Sequence, residues 1–245
     1  MDQLLVALDV DNAIEAIEMS ARLRGLVGGL KIGSHLFTAE GPSLVRRLVD
    51  QGHRIFLDLK FHVIPNTVTG AVKSATKLGV WMMTVHASGG IEMLKAAKRA
   101  AVETAAAQNR PAPLIVAVTV LTSLSDASLL EIGVSRSMER QVEEMAVLAD
   151  KAGLDGVVAS PHEIEIIRRR CGPRFVIVTP GIRGASDHQG DQSRTRSAAE
   201  ALAAGANYLV IGRPILSAAD PRAAAKGIAA ECRPGTRPKS GPLSA

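Results

Sequence analysis

The sequence predicts an α/β protein, a single (β/α)8 TIM barrel over residues 1–232 followed by a flexible tail over 233–245. Three observations lead there. Eight short apolar runs rich in β-branched residues recur along the chain, as buried parallel strands should. Longer amphipathic stretches separate them. Eight strand–helix units in 245 residues match the size of such a barrel. An open doubly wound sheet is the alternative, but no G-x-G-x-x-G follows the first run and no G-x-x-x-x-G-K-[ST] occurs.

Taken in order, LLVALDV (4–10) is the first strand, and DNAIEAIEMSARLRGL after it has an Asp/Asn cap and apolar residues at helical spacing. GGLKIG (28–33) is the second, followed by GPSLVRRLVDQG with its glycine stop. RIFLDLK (54–60) is the third; PNTVTGAVKSATKLG then opens on Pro65 in the first helical turn and closes on Gly79. VWMMTVHA (80–87) precedes the helix GGIEMLKAAKRAAVETAAA, and PLIVAVTV (113–120) precedes SMERQVEEMAVLADKAG. DGVVAS (155–160), FVIVTPG (175–181) and NYLVIG (207–212) complete the strands, with PHEIEIIRRR, SAAEALAAG and DPRAAAKGIAAE as their helices.

Composition narrows the function. The chain is 47% hydrophobic and 22% charged, enough for a packed core rather than disorder. One Trp, one Tyr and four Phe leave that core aliphatic and supply no stacking platform for single-stranded nucleic acid. The net charge of +5 is local, in RLRGL, in RRR at 168–170 and in the tail, so it reads as solvated surface charge rather than a nucleic-acid face. Cys171 and Cys232 form no C-x-x-C or metal spacing, which fits a reducing compartment. MDQLLVALDV lacks a basic leader and a cleavage site, and no uncharged run reaches the ~18 residues of a membrane span. A soluble, cytoplasmic protein is expected.

In a barrel of this kind the site lies at the C-terminal ends of the strands. Polar residues fall there repeatedly: Asp9, Lys31, Asp58 with Lys60, His86, Thr122 with Ser123, Arg183, and Gly212 with Arg213. Side chains two apart on a strand share a face, so Asp58 and Lys60 should point inward above Phe56, while Leu57 and Leu59 point to the helices. Two lysines and two aspartates then converge, their alternating signs offsetting desolvation. The loop after the seventh strand and the end of the eighth commonly hold phosphate. Gln192, from a loop able to close over a ligand, and Gly212 and Arg213, at the end of the eighth strand, are the expected clamp. The histidines show no metal spacing, and His62 and His86 read as structural; no metal site or cofactor is expected. The absence of G-x-S-x-G leaves acyl transfer unsupported.

ALDV, KIG, FLDLKFH-x-IPNTV, VHASGG, TVLTS, VTPGIR, GDQ and VIGRP occur in this order over residues 4–221. Together they resemble the orotidine 5′-phosphate decarboxylase family of the bacterial type. The resemblance implies a carboxy-lyase that converts orotidine 5′-monophosphate to uridine 5′-monophosphate and CO2 without a cofactor, in pyrimidine biosynthesis. It also implies a homodimer with sites at the subunit interface. Carried over by motif, Asp9 and Lys31 would hold the ribose. Asp58 and Lys60 would form the central charge network, with Lys31 adjoining it. Thr122 and Ser123 would lie by the pyrimidine, Ser123 nearer the base. Arg183, Gln192, Gly212 and Arg213 would serve the phosphate, and Asn66 and Thr67 the pocket wall or the dimer contact. Lys60 would stabilise the charge left by departing CO2 and return a proton, with Asp58 keeping it charged and aimed.

One position departs from that pattern. The family's D-x-K-x-x-D would place a second aspartate at 63, reaching into the partner's site, and this chain has Val63. The expectation is a folded dimer that binds ligand as well or better and turns over far more slowly. A metal-dependent sugar-phosphate decarboxylase, which would need the acid lost at 63, and a nucleotide-binding barrel without activity are the alternatives.

Overall fold

In the computed structural model, which describes residues 2–182 and 196–232, eight parallel strands close into a barrel in chain order. Strand β1 (Leu4–Ala7) pairs with both β2 (Gly29–Gly33) and β8 (Tyr208–Ile211), which seals the cylinder. Between these lie β3 (Ile55–Phe61), β4 (Met82–His86), β5 (Leu114–Val118), β6 (Gly156–Val158) and β7 (Val176–Thr179). The expected fold is the observed one.

The strand alternation separates two cores. Leu5, Phe56, Met82, Val116, Val178 and Val210 point inward and fill the barrel. Their sequence neighbours, such as Leu4, Val6, Leu57, Met83, Ile115 and Ile177, point outward against the helices. Most strands are thus apolar on both faces, which is why they read as continuous runs rather than alternating ones; β2 is the exception, with Lys31 between glycines on its inner face. At the N-terminal end of the barrel, Trp81 meets Tyr208 edge-on, with ring centroids 5.1 Å apart, and Arg54 lies 3.8 Å over the Trp81 ring.

The outer layer begins with α1 (Ala13–Leu23), capped by the Asn12 side chain, which accepts the Glu15 N–H at 3.0 Å. Next come α2 (Ser34–Asp50), α3 (Pro65–Lys77), α4 (Gly90–Ala107), α5 (Asp126–Glu131) and α6 (Met138–Lys151). The layer closes with α7 (Ile164–Cys171), α8 (Ala198–Ala203), α9 (Arg213–Leu216) and α10 (Pro221–Glu231). The second helix differs from the sequence reading. It starts at Ser34, seven residues before the expected Gly41, and Gly41 breaks it internally at φ 66, followed by Pro42. Gly-Pro looks like a helix start in sequence; here it is a kink that a glycine alone takes without strain.

Two polar clusters tie helices to the lower barrel. Lys98 of α4 forms a forked ion pair with Asp155 at 2.6 and 2.7 Å, and Asp155 also accepts the Ile115 N–H at 2.7 Å. Arg168 of α7 donates to the Gly205 carbonyl at 2.9 Å, to the Gly172 carbonyl at 3.0 Å and to the Asn207 side chain. Asn207 in turn accepts the Ile177 N–H at 2.8 Å. The Arg168 guanidinium thereby satisfies carbonyls at the entries to β7 and β8 that no strand pairs. The two cysteines are free, and burial pushes both thiols up to about 11, so they are protonated at neutral pH. Among the described residues no helix is long and apolar enough to cross a membrane. The tail at 233–245 lies outside the described residues.

Candidate active site

A cavity of about 460 Å³ opens at the C-terminal end of the barrel. Its apolar lining includes Val118 together with Phe56, Val158 and Val210 from the inner core. On one wall stands a row of four charges of alternating sign. Lys31 Nζ lies 3.3 Å from Asp9 Oδ1 and 3.8 Å from Asp58 Oδ2, and Lys60 Nζ lies 2.8 Å from the same Asp58 oxygen. The side chains of Lys31 and Asp58 are 13% and 12% exposed, those of Lys60 and Asp9 35% and 58%. The inner pair is therefore largely desolvated and the outer pair reaches solvent, where a ligand would enter. Neighbours of opposite sign offset part of the desolvation cost, and here the four charges sum to zero.

Asp58 and Lys60 meet as their spacing suggested, but the strand between them is not regular. Leu57 pairs with Met83 and Phe61 with Val85, so β3 spends four residues where β4 spends two. The excess is a bulge over Asp58, Leu59 and Lys60, and Lys60 has φ 51. Left-handed backbone is uncommon outside glycine and turns up at bulges that re-aim a side chain. Sequence reasoning also passed over Thr84, the β4 residue opposite the bulge. Its hydroxyl accepts the Lys60 N–H at 2.8 Å and donates to Asp58 Oδ1 at 2.9 Å. The signal available was a polar residue two before His86 in an otherwise apolar run.

Thr122, Pro180, Gly212 and Arg213 also line the cavity, with Gly212 adjoining Asp9. Gly212 keeps the backbone close to the charge row: a Cβ there would lie 3.3 Å from Asp9 Oδ2 and 3.4 Å from the Ala7 Cβ. Of the remaining expected site residues, Ser123 is exposed beside Thr122 and outside the cavity lining. Asn66 and Thr67 are exposed in the first turn of α3, within an exposed run from His62 to Thr67. Val63 and Ile64 in that run are 43% and 70% exposed, so they form an apolar surface of this chain rather than part of its own cavity. Arg183 and Gln192 lie outside the described residues.

His86, at the end of β4, and His62 have ring centroids 5.4 Å apart. Burial lowers the His86 pKa, and the positive charges of His62 and Lys60 lower it further, against an opposing pull from Asp58. His53 is lowered too, by burial and then by Arg24. Both groups titrate below the ordinary imidazole value of about 6.5, so the unfolded chain binds more protons than the folded one as pH drops beneath that value. Stability from these groups is complete above about pH 6.5 and is expected to fall as pH is lowered toward the folded values. Urea midpoints at pH 7.5 and 5.0 should show that decline, and His86→Gln should shrink it. An identical pH response in the two proteins would remove His86 from the account. Among the described residues no three His, Cys, Asp or Glu side chains are grouped as a metal site.

Comparison with known proteins points the same way as the site. A family model described as orotidine 5′-phosphate decarboxylase / HUMPS family matches residues 2–228. The chain is 56% identical over 231 residues to the orotidine 5′-phosphate decarboxylase of Moorella thermoacetica, covering 94% of this chain and 92% of that one. It is 48% identical over 219 residues to the enzyme of the same name from Legionella pneumophila strain Corby, covering 89% and 94%. The crystal structure of orotidine 5′-phosphate decarboxylase from Lactobacillus acidophilus superposes with a TM-score of 0.84 at 38% identity, over 95% of this chain and 99% of that one.

Proposed function

The chain belongs to the orotidine 5′-phosphate decarboxylase / HUMPS family, and from that premise we propose that it decarboxylates orotidine 5′-monophosphate to uridine 5′-monophosphate. The observation that carries the reading is the charge row ending in the Lys60 ammonium, 2.8 Å from Asp58, at the mouth of the cavity. Breaking the bond to the departing carboxyl group leaves an electron pair on the ring carbon. The ammonium stabilises that pair as it develops and then transfers a proton to it, so a C–H bond replaces the C–C bond and no cofactor is consumed. Asp58 favours the charged form of Lys60 and fixes its direction. Solvent restores the proton after each turnover.

The remaining assignments follow the family's motifs, and the cavity lining by Asp9, Lys31, Thr122, Gly212 and Arg213 supports part of them. Asp9 and Lys31 hold the ribose hydroxyls, Thr122 and Ser123 the pyrimidine, and Gly212 and Arg213 the phosphate, with Arg183 and Gln192 completing that end. Phosphate binding supplies energy far from the reacting carbon, which positions the ring. The exposed run from His62 to Thr67 supports a homodimer in which this segment of one protomer, with Asn66 and Thr67, reaches the cavity of the other. Val63 then stands where an acid would complete the network, and turnover is low for that reason.

Release of CO2 from orotidine 5′-monophosphate, followed together with melting in the presence of uridine 5′-monophosphate, tests the reading. Nucleotide at about 100 times its Kd should add about 2.7 kcal/mol of stability. Failure of both this chain and Val63→Asp to release CO2 overturns the proposal. Val63 itself favours a second reading, a nucleotide-binding barrel without turnover, which predicts the melting shift and no CO2 even from Val63→Asp.

A further inference from the structure

We propose that Thr84 is a positioning residue that holds both members of the Asp58–Lys60 pair through one hydroxyl; the inference rests on the decarboxylase reading of that pair. Thr84 is wholly buried behind the cavity. The register places it alone opposite three residues of β3, since Met83 and Val85 take Leu57 and Phe61 as partners. In a bulge the extra amides lose their ladder acceptors, and a buried N–H must find another. For Lys60 that acceptor is Thr84 Oγ1, at 2.8 Å. With a lone pair engaged, the hydroxyl turns its proton on Asp58 Oδ1, at 2.9 Å. That leaves Asp58 Oδ2 as the oxygen facing Lys60 Nζ at 2.8 Å and Lys31 Nζ at 3.8 Å.

One atom therefore sets two things: the left-handed backbone from which the lysine side chain departs, at φ 51, and the rotation of the carboxylate that receives its ammonium. Threonine suits the task because a β-branched side chain has few χ1 choices, so the hydroxyl direction is fixed by packing. A strained backbone of this kind persists only where its surroundings over-determine it. The hydroxyl is the part of the surroundings that bonds to both the lysine backbone and the carboxylate.

Thr84→Val keeps the shape and removes the hydroxyl; Thr84→Ser keeps the hydroxyl. Both are made in the parent and in the Val63→Asp background, and each is read by decarboxylation kinetics and by amide hydrogen exchange at Lys60. A misplacement near 1 Å costs about 10²-fold, so Thr84→Val is expected to lower kcat by about 10- to 100-fold with KM changed less than about threefold. Thr84→Ser should recover most of that loss. The Lys60 amide should exchange faster in Thr84→Val than in the parent or Thr84→Ser, while core amides of β4 keep their protection. A merely structural role would lower the melting temperature and leave kcat per folded site and Lys60 exchange as they were, which overturns the proposal. So does a valine variant no slower than the serine one. If neither background turns over, the decarboxylase reading fails by itself, and Lys60 exchange alone decides whether Thr84 holds the pair.

Discussion

Lys60→Ala is expected to reduce kcat for orotidine 5′-monophosphate decarboxylation by at least about 10³-fold. The magnitude combines two losses at one atom. Removing a preorganised electrostatic donor costs about 10²–10³, and removing a general acid about 10²–10⁴. The two share one ammonium, so they overlap rather than multiply. The fold should survive. The Lys60 side chain is 35% exposed, and without it Asp58 keeps Thr84 at 2.9 Å and Lys31 at 3.8 Å. Alanine bears the same left-handed backbone as lysine, so the bulge is not relieved or worsened through φ alone. Kinetics in the Val63→Asp background give the widest range over which to see the loss. A Lys60→Ala protein within tenfold of its parent, correctly folded, would mean that the proton and the charge stabilisation come from elsewhere.

Val63→Asp is expected to raise kcat by about 10²–10³-fold, the usual weight of one preorganised charged group. Within one protomer Val63 is 43% exposed, in a run with no buried residue from His62 to Thr67, so the change should shift that protomer's own folding stability by about 0.5 kcal/mol or less. A rate gain would therefore report the assembled site and not a better fold. In the proposed homodimer the gain comes from one protomer's segment in the other's cavity, so it should fade on dilution below the dimer dissociation constant, with sedimentation recording the parallel loss of dimer. The same variant should bind substrate no more tightly than the parent, since it returns a negative charge to a site that must accept a carboxylate. Equal kcat for the two proteins would sink this account of position 63.

The barrel was legible because most strands bury apolar residues on both faces. Burial of Leu5, Phe56 or Val116 inside and of Val6, Leu57 or Ile115 outside makes an unbroken apolar run, and that pattern is local in the chain. The polar endings Asp9, Lys31, Asp58, Lys60, Thr122, Gly212 and Arg213 could be marked for the same reason: they interrupt such runs at one end, and the structure brings all of them to one cavity. The first half of α2 was not legible, because Gly41-Pro42 looks like a boundary and only packing against the barrel carries the helix across it.

Neighbours along the chain thus determined by themselves how many strands form, which way their side chains alternate, and which polar groups stand at the strand ends. Tertiary structure alone decided the two-residue slip between β3 and β4, the left-handed Lys60 it creates, and the choice of Thr84 as the group that bonds to both Lys60 and Asp58. The physical reason is the range of the interactions. Periodicity reflects contacts between residues two to four apart, whereas register reflects hydrogen bonds between separate strands, and closing eight of them into one ring fixes each pairing against all the others.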